Sequence, residues 1–475
     1  MTESGTMTAG ADRSVAQFIT AFEQFERQVA GGPSWLTPVR KAAIARLGEL
    51  GFPTARHEEW RSTNLAPLIR TTFVRPTLPA RRPSLDELRP HLFDAEGWSR
   101  LALVDGAFDA QLSSLGSLPD GVVVASLAEI LARDPSRLEP HLTRYADDKT
   151  APFIALNTAF MADGACVIVP PRTVIENPIH LLYISTARDE PTVIYPRSLI
   201  LVGEGSEATL IENYAGAGGG TYFNNAVTEI AVGPDAKVDH YRVQRESDNA
   251  FHVGWLKTQQ DRDSRLTSHS LVMGGGLVRN NVHAMLGGQG CDCTLNGLFV
   301  THDTQHVDNH LRVEHAQPHC NSWEFYKGIL DGRSTAVFTG RIFVHEHAQK
   351  TDAKQSNMNL LLSDSAQVDT KPQLEIFADD VRCTHGATIG QIDDEAVFYL
   401  RCRGVPEAAA RSMLTYAFAG ESLGQIQVEA LRTEMQRILL QRLPHGEMLR
   451  AGSPLFYDRE FSKHIKAADR RRESY

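Results

Sequence analysis

The decapeptide LVGEGSEATL at residues 201–210 returns as LGGQGCDCTL at residues 286–295. Both have an apolar start, glycines around a polar residue, then a small residue, an acid, a second small residue, Thr and Leu. Looser echoes stand at AVGPDAKVDHY, GILDGRSTAVF and LLLSDSAQVDT. Each unit opens on a tight turn that calls for Gly, Asp or Asn backbone geometry, and continues as a strand whose alternate small or apolar residues face inward. A helix-free series of such units can bury its inner faces only by stacking coil upon coil. The pattern predicts a mainly β chain organised as a right-handed parallel β-helix, a β-solenoid. An antiparallel sandwich of similar strands is the alternative, because the echoes are unevenly spaced.

Helical periodicity flanks this stretch on both sides. In SVAQFITAFEQFERQV, Val15, Phe18, Ile19, Phe22, Phe25 and Val29 recur at helical spacing, and LTPVRKAAIARLGELG forms a second segment that Gly51 ends as a C-cap. The Pro- and Arg-rich VRPTLPARRP, residues 74–83, reads as a connection. Asp393 suits the N-cap of DEAVFYLRCR, Gly404 stops that helix, and Pro406 suits the first turn of PEAAARSMLTYAFAG. Beyond Gly424, the residues Val428, Leu431, Met435, Ile438 and Leu439 line one face of a further helix, and KAADRRRESY reads as a frayed basic tail. A chain of 475 residues exceeds what one core usually spans. The expected division is an N-terminal helical and mixed region over 1–150, the β-helix core over 151–393 and a C-terminal helical region over 394–475.

A net charge of −10 argues against a nucleic-acid surface across the whole chain, which requires clustered Lys and Arg. No run of 18 apolar residues marks a membrane span, and the opening MTESGTMTAGADRS has neither a basic leader nor an apolar core, so a cytoplasmic protein is expected. Six cysteines are too sparse for a disulfide framework, and reduced thiols are the expectation. The chain carries no G-x-x-x-x-G-K-[ST] loop, no G-x-G-x-x-G after a strand and no G-x-S-x-G elbow. The glycine runs Gly218–Gly220 and Gly274–Gly276 then read as solenoid turns.

Among eighteen histidines, five fall between His302 and His319. His302, His306 and His310 stand four apart, which on a helix would gather three imidazoles on one face. The neighbouring LFVT and LRVEH read as strands, where the same spacing spreads the rings over about 13 Å, too far for one ion. Surface or cross-coil hydrogen bonding is the expectation. Cys291 and Cys293 in GCDCT look like a soft-metal clip, yet they align with Ser206 and Ala208, small positions that stack inside a coil, and core packing is favoured. His345 and His347 share a strand face by the same reasoning and read as structural. Cys383 and His385, in EIFADDVRCTHGATIGQID, share one face of a strand and can approach a common centre, but taken alone an isolated Cys-x-His is a weak signal and reads as a small buried Cys beside a satisfied His. Two groups fall short of the four ligands an iron–sulfur cluster ordinarily takes, so a cluster held there needs ligands from a second chain.

Three stretches carry a resemblance: HEEWRSTNL, the long block HAQKTDAKQSNMNLLLSDSAQVDTKPQLEIFADDVRCTHGATIGQIDDEAVFYLRCRGVP, and YAFAGE. Together, over about residues 50–440, the chain resembles the SufB/SufD family of the SUF iron–sulfur cluster assembly system. Within the family it is similar to the SufD branch. CTHGATIGQID stands where SufB carries an LEHEAT-like strand, and LLLSDSAQVDTKPQLEIFADD lacks the cysteine that SufB places in a CGAHTFPY-like segment.

The resemblance implies a β-helix with helical ends acting as a non-catalytic scaffold. It implies pairing with SufB through the β-helices and a SufC ATPase bound by the C-terminal helices, about residues 394–445. It also implies a transient iron–sulfur cluster shared with the partner subunit, with no cofactor tightly bound to the isolated chain. The histidine and nearby cysteine of that seam fall on His385 and Cys383. A homodimer is expected in isolation, since a solenoid edge must be covered, with no nucleic-acid or membrane partner. The competing class is a β-helix polysaccharide-processing enzyme, which needs carboxylates converging at about 5–9 Å. Asp303, Asp308 and Asp331 are available to it, but nothing in the linear pattern brings them together.

Overall fold

The computed structural model describes residues 9–76, 82–93, 96–147, 149–444 and 446, with side chains from residue 15 onward. The KAADRRRESY tail and the middle of VRPTLPARRP lie outside the described residues; Val74, at the start of the latter, bridges Thr192 in parallel. The chain forms two compact units, residues 1–389 and 390–475.

The first unit is built on two ten-stranded sheets. From Glu207–Ala217 onward the chain alternates strictly between them. Strands Glu207–Ala217, Lys237–Arg245, Arg265–Val272, Asp292–Thr301, Asn321–Leu330, Asp352–Leu361 and Arg382–Gly390 enter the first sheet. The intervening Tyr222–Val232, Phe251–Gln260, Leu277–Leu286, His306–His315, Thr335–Val344 and Gln367–Ile376 enter the second. Glu207, Lys237, Arg265, Asp292, Asn321 and Asp352 stand side by side in parallel register, so each coil takes about 30 residues. Antiparallel pairing is found where Ser99–Val104 meets Ala107–Phe108 and bridges Ser114 from Arg100, and where Val123–Ser126 meets Ala165–Val169. The parallel β-solenoid is therefore the architecture, and the antiparallel sandwich is not.

The repeat works at the corner that leads into the first sheet. Arg172, Gly205, Asp235, Asp263, Gly290, His319 and Lys350 all take positive φ there, from 54 to 74°. This left-handed geometry favours Gly and admits Asp or Asn at modest cost. Each of these N–H groups donates to the next coil, as from Gly205 to the Pro234 carbonyl at 2.8 Å and from His319 to the Gln349 carbonyl at 2.9 Å. The following residue is small and sealed: Ser206, Ala236, Ser264, Cys291, Cys320 and Thr351 are at most 1% exposed. Two positions on, Ala208, Val238, Leu266 and Cys293 stack into the core between the sheets. The echo AVGPDAKVDHY belongs to this corner. GILDGRSTAVF and LLLSDSAQVDT belong to the opposite one, leading into Thr335–Val344 and Gln367–Ile376, which is why their likeness is looser.

The two sheets open N-terminal to residue 150, with Ser99–Val104 beside Ile179–Thr186 and Val123–Ser126 beside Ala165–Val169. A helix, Pro152–Phe160, precedes the latter strand. Helices Ala9–Gln28 and Leu36–Leu50 bury Phe18, Phe22, Phe25 and Leu47 against Phe153, Phe160 and Phe223, covering the outer face of the early second sheet. Gly51 ends the second helix as expected, at φ 63°. Ile19 departs from its expected place on the apolar face and is 42% exposed.

In the second unit, helices Asp394–Cys402, Glu407–Gly424 and Glu429–Arg442 enclose Val397, Leu400, Ala410, Met413 and Leu440. The Asp393 carboxylate caps the first of them by accepting the Glu395 N–H at 2.9 Å.

Candidate functional site

Both sheets stop at the same coil, with Gln367–Ile376 ending the second and Arg382–Gly390 ending the first. No further coil lies over this one among the described residues, and its apolar side chains are left in solvent: Phe377 is 60% exposed, Ile389 49% and Ile376 38%. Two strand edges and an apolar fringe at one end make a surface that a second sheet can extend or cover.

Cys383 and His385 lie on this last strand of the first sheet, on the same face by strand alternation. Cys383 is half-buried and packs on Ile342, Val344, Ala348, Ala353 and Ala378. Burial pushes its thiol above the ordinary value, Asp352 adds to the push, and the Ala353 N–H draws it back. His385 is exposed. Among the described residues no three His, Cys, Asp or Glu side chains gather as a metal site. The pair therefore offers one imidazole and one thiol at an open sheet edge.

The histidine-rich run serves the coils. His302 meets Asp303 at 3.0 Å, His306 meets Thr335 at 2.7 Å and Thr63 at 3.0 Å, and His310 meets Asp308 at 3.0 Å. His315 is buried against Ser322 at 2.9 Å, and His319 is a left-handed corner residue. His345 and His347 do not share a strand face, because the strand ends at Val344 and both fall in the turn beyond it. His345 reaches the Glu314 carboxylate at 2.8 Å. Cys291 and Cys293 are core residues, 0% and 2% exposed. Nothing periodic marks Cys320, yet it neighbours Cys291 from the next coil: the two thiols donate to the same Gly288 carbonyl, at 3.3 and 3.1 Å, and their interaction draws Cys291 down and pushes Cys320 up. The carboxylates open to a polysaccharide enzyme do not converge. Asp303 sits at an exposed corner, Asp331 turns back to the Gly332 N–H, and Asp308 is buried against Arg279 at 2.6 Å.

The HEEWRSTNL segment is explained by docking. Trp60 lies beneath the Arg279 guanidinium, 3.7 Å from the ring centre, Arg279 donates to the Glu59 carbonyl at 2.7 Å, and the Thr63 hydroxyl donates to Asp308. A buried Arg in a strand leaves no periodic trace, so this anchor was not readable from the pattern.

The profile described as the SUF system FeS cluster assembly SufBD core domain matches residues 183–418, and that of the SufBD protein N-terminal region matches residues 12–181. The chain belongs to the SufBD family. An iron–sulfur cluster assembly SufBD family protein of Synechocystis is 34% identical over 414 residues, covering 85% of this chain and 90% of its own. The iron–sulfur cluster assembly protein SufD of Escherichia coli is 32% identical over 416 residues, covering 86% of this chain and 94% of its own. SufD of Bacillus subtilis is 24% identical over 448 residues and is matched along its full length. As a SufBD protein the chain has a role in iron–sulfur cluster assembly. No helix among the described residues is long and apolar enough to cross a membrane.

Proposed function

We propose that this chain is a SufD-type, non-catalytic scaffold subunit of the cytoplasm, joined through its open solenoid end to a SufB-type partner. A SufC-type ATPase docks on the C-terminal helices, within residues 394–445, where Phe398 and Tyr399 stand 66% and 48% exposed. The nascent iron–sulfur cluster is cargo held across the seam, with His385 as this chain's ligand and Cys383 beside it.

The supporting observation is one coincidence. The strand Arg382–Gly390 ends its sheet and carries both the exposed His385 and the half-buried Cys383. Exposed strand edges are ordinarily covered, and the end of a second parallel coil can cover them by continuing the sheets. Imidazole holds iron less tenaciously than thiolate, which suits cargo that must leave. Ligands divided between two chains can also be separated by subunit movement, giving an ATPase a means of release.

Co-expression with SufB-type and SufC-type subunits, followed by mass measurement, should yield a complex containing all three; recovery of this chain alone would end the reading. In that complex His385→Ala should lower cluster formation, followed by visible absorbance, at unchanged complex mass. Cluster formation equal to the parent's would remove His385 from the ligand set. The isolated chain should hold no cluster and should pair with a second copy through the same edge.

A further inference from the structure

A groove of about 360 Å³ lies on the outer face of the second sheet, lined by none of residues 382–390. Its floor is the outward column Lys257, His283, Arg312 and Arg341, one residue from each of four successive coils. Neighbouring strands are about 4.8 Å apart, so Lys257 and Arg312, on either side of His283, stand about 10 Å apart along the column. One wall is the Glu58–Ser62 stretch and the other runs from Tyr145 to Phe153.

Buried charges fix both walls. Arg279, paired with Asp308, holds the Glu59 carbonyl and the Trp60 ring. Glu229, paired with Arg197 at 2.7 Å, accepts the backbone N–H groups of Thr143, Tyr145 and Ala146 at 2.9 to 3.0 Å. A groove held in this way needs little ordering on binding.

Its inner end carries positive charge that no contact neutralises. Among the described residues Lys257 makes no ion pair: Nζ meets the His283 Nδ1 at 3.0 Å and lies 4.9 Å from the centre of the Trp255 ring. The Trp255 indole N–H, at the same end, is buried without a hydrogen-bond partner. Glu314 is already engaged by Arg312 at 3.0 Å, His283 at 3.0 Å and His345 at 2.8 Å. Glu58, Glu59 and Asp147 stand at the exposed rim, where solvent screens them.

We propose that this groove binds a small oxyanion, received by the Lys257 ammonium, the Arg312 guanidinium and the Trp255 indole N–H. An anion there would offset the repulsion between Lys257 and Arg312, two strands apart, and satisfy the idle indole donor. Burial first, then Arg312, holds the Lys257 amine down at about 8, against the opposing pull of Asp147, Glu314 and Glu59. Only the protonated amine attracts an anion, so affinity should fall by about tenfold from pH 7 to pH 9, as the charged fraction falls.

Calorimetric titration of the full chain with sodium sulfate and with sodium acetate, at constant ionic strength, reads this directly, because neither probe titrates over that range. At least one should bind saturably at pH 7, weaken about tenfold at pH 9 and lose its site in Lys257→Met. The tighter probe assigns the tetrahedral or the carboxylate class. Absence of binding by both, or binding that is unchanged in Lys257→Met or at pH 9, overturns the proposal. If Lys257→Met does not fold, ¹³C-methylation of the lysines of the parent chain replaces it. One amine titrating near pH 8 should move to higher pH with the bound probe, and an unmoved midpoint overturns the site.

Discussion

Asp308 shows what a buried charge requires in this fold. Burial alone would raise its carboxyl, but Arg279 and His310 outweigh that effect and hold it below the usual carboxylate range. Removing one member of such a pair strands the other in a low-dielectric setting. Asp308→Ala should therefore cost about 3–5 kcal/mol in urea unfolding, while the double change Arg279→Met with Asp308→Leu should recover most of it. Residues of this kind were the least legible. Arg279, Asn280 and Asn281 follow one another in a strand, and nothing in their order says which is paired with what. Cys291 and Cys293 were legible, because the decapeptide repeat fixes their register against Ser206 and Ala208. His385 owes its place to resemblance rather than to spacing, since an isolated Cys-x-His is ordinary in a strand.

The corner column is the element that the sequence displayed most openly. Gly, Asp or an unusual His or Lys stands before each small sealed residue because the chain must turn left-handed there and hand its N–H to the next coil. Asp263, at φ 54°, tests the argument. Asp263→Val should cost about 1–2 kcal/mol through the left-handed penalty, whereas Asp263→Gly should leave thermal unfolding near the parent's. His319→Gly should likewise keep the fold, as expected of a corner residue and not of a ligand. The strand stops at Val344 although apolar alternation in IFV continues visually into HEH, because periodicity does not mark where a ladder stops. The opposite corner was blurred with the first, since both offer Gly or Asp before a strand.

At the scale of the whole molecule, burial of ionisable groups sets the response to pH. His91 and His180 are held at about 3, and His269 and His315 at about 4, chiefly by burial. Their unfolded value is about 6.5, so the stability they contribute is present above pH 6.5 and is lost as pH falls towards 4. Glu324 runs the other way. Burial raises it to about 8, so its contribution is present below pH 4.5 and is lost as pH rises through 8. Melting temperature should therefore drop steeply between pH 6.5 and 4. Between pH 6.5 and 8 the parent should lose stability relative to Glu324→Gln; parallel curves for the two would refute the assignment.

The corner column also makes reach a matter of whole numbers. Excising residues 237–264 would set Ala236 directly before Arg265 and leave every remaining corner in phase, shortening the stack of coils by one step of about 4.8 Å. A lineage built on this plan can lengthen or trim the span between its first and last coils by adding or dropping a rung, without redrawing either terminus.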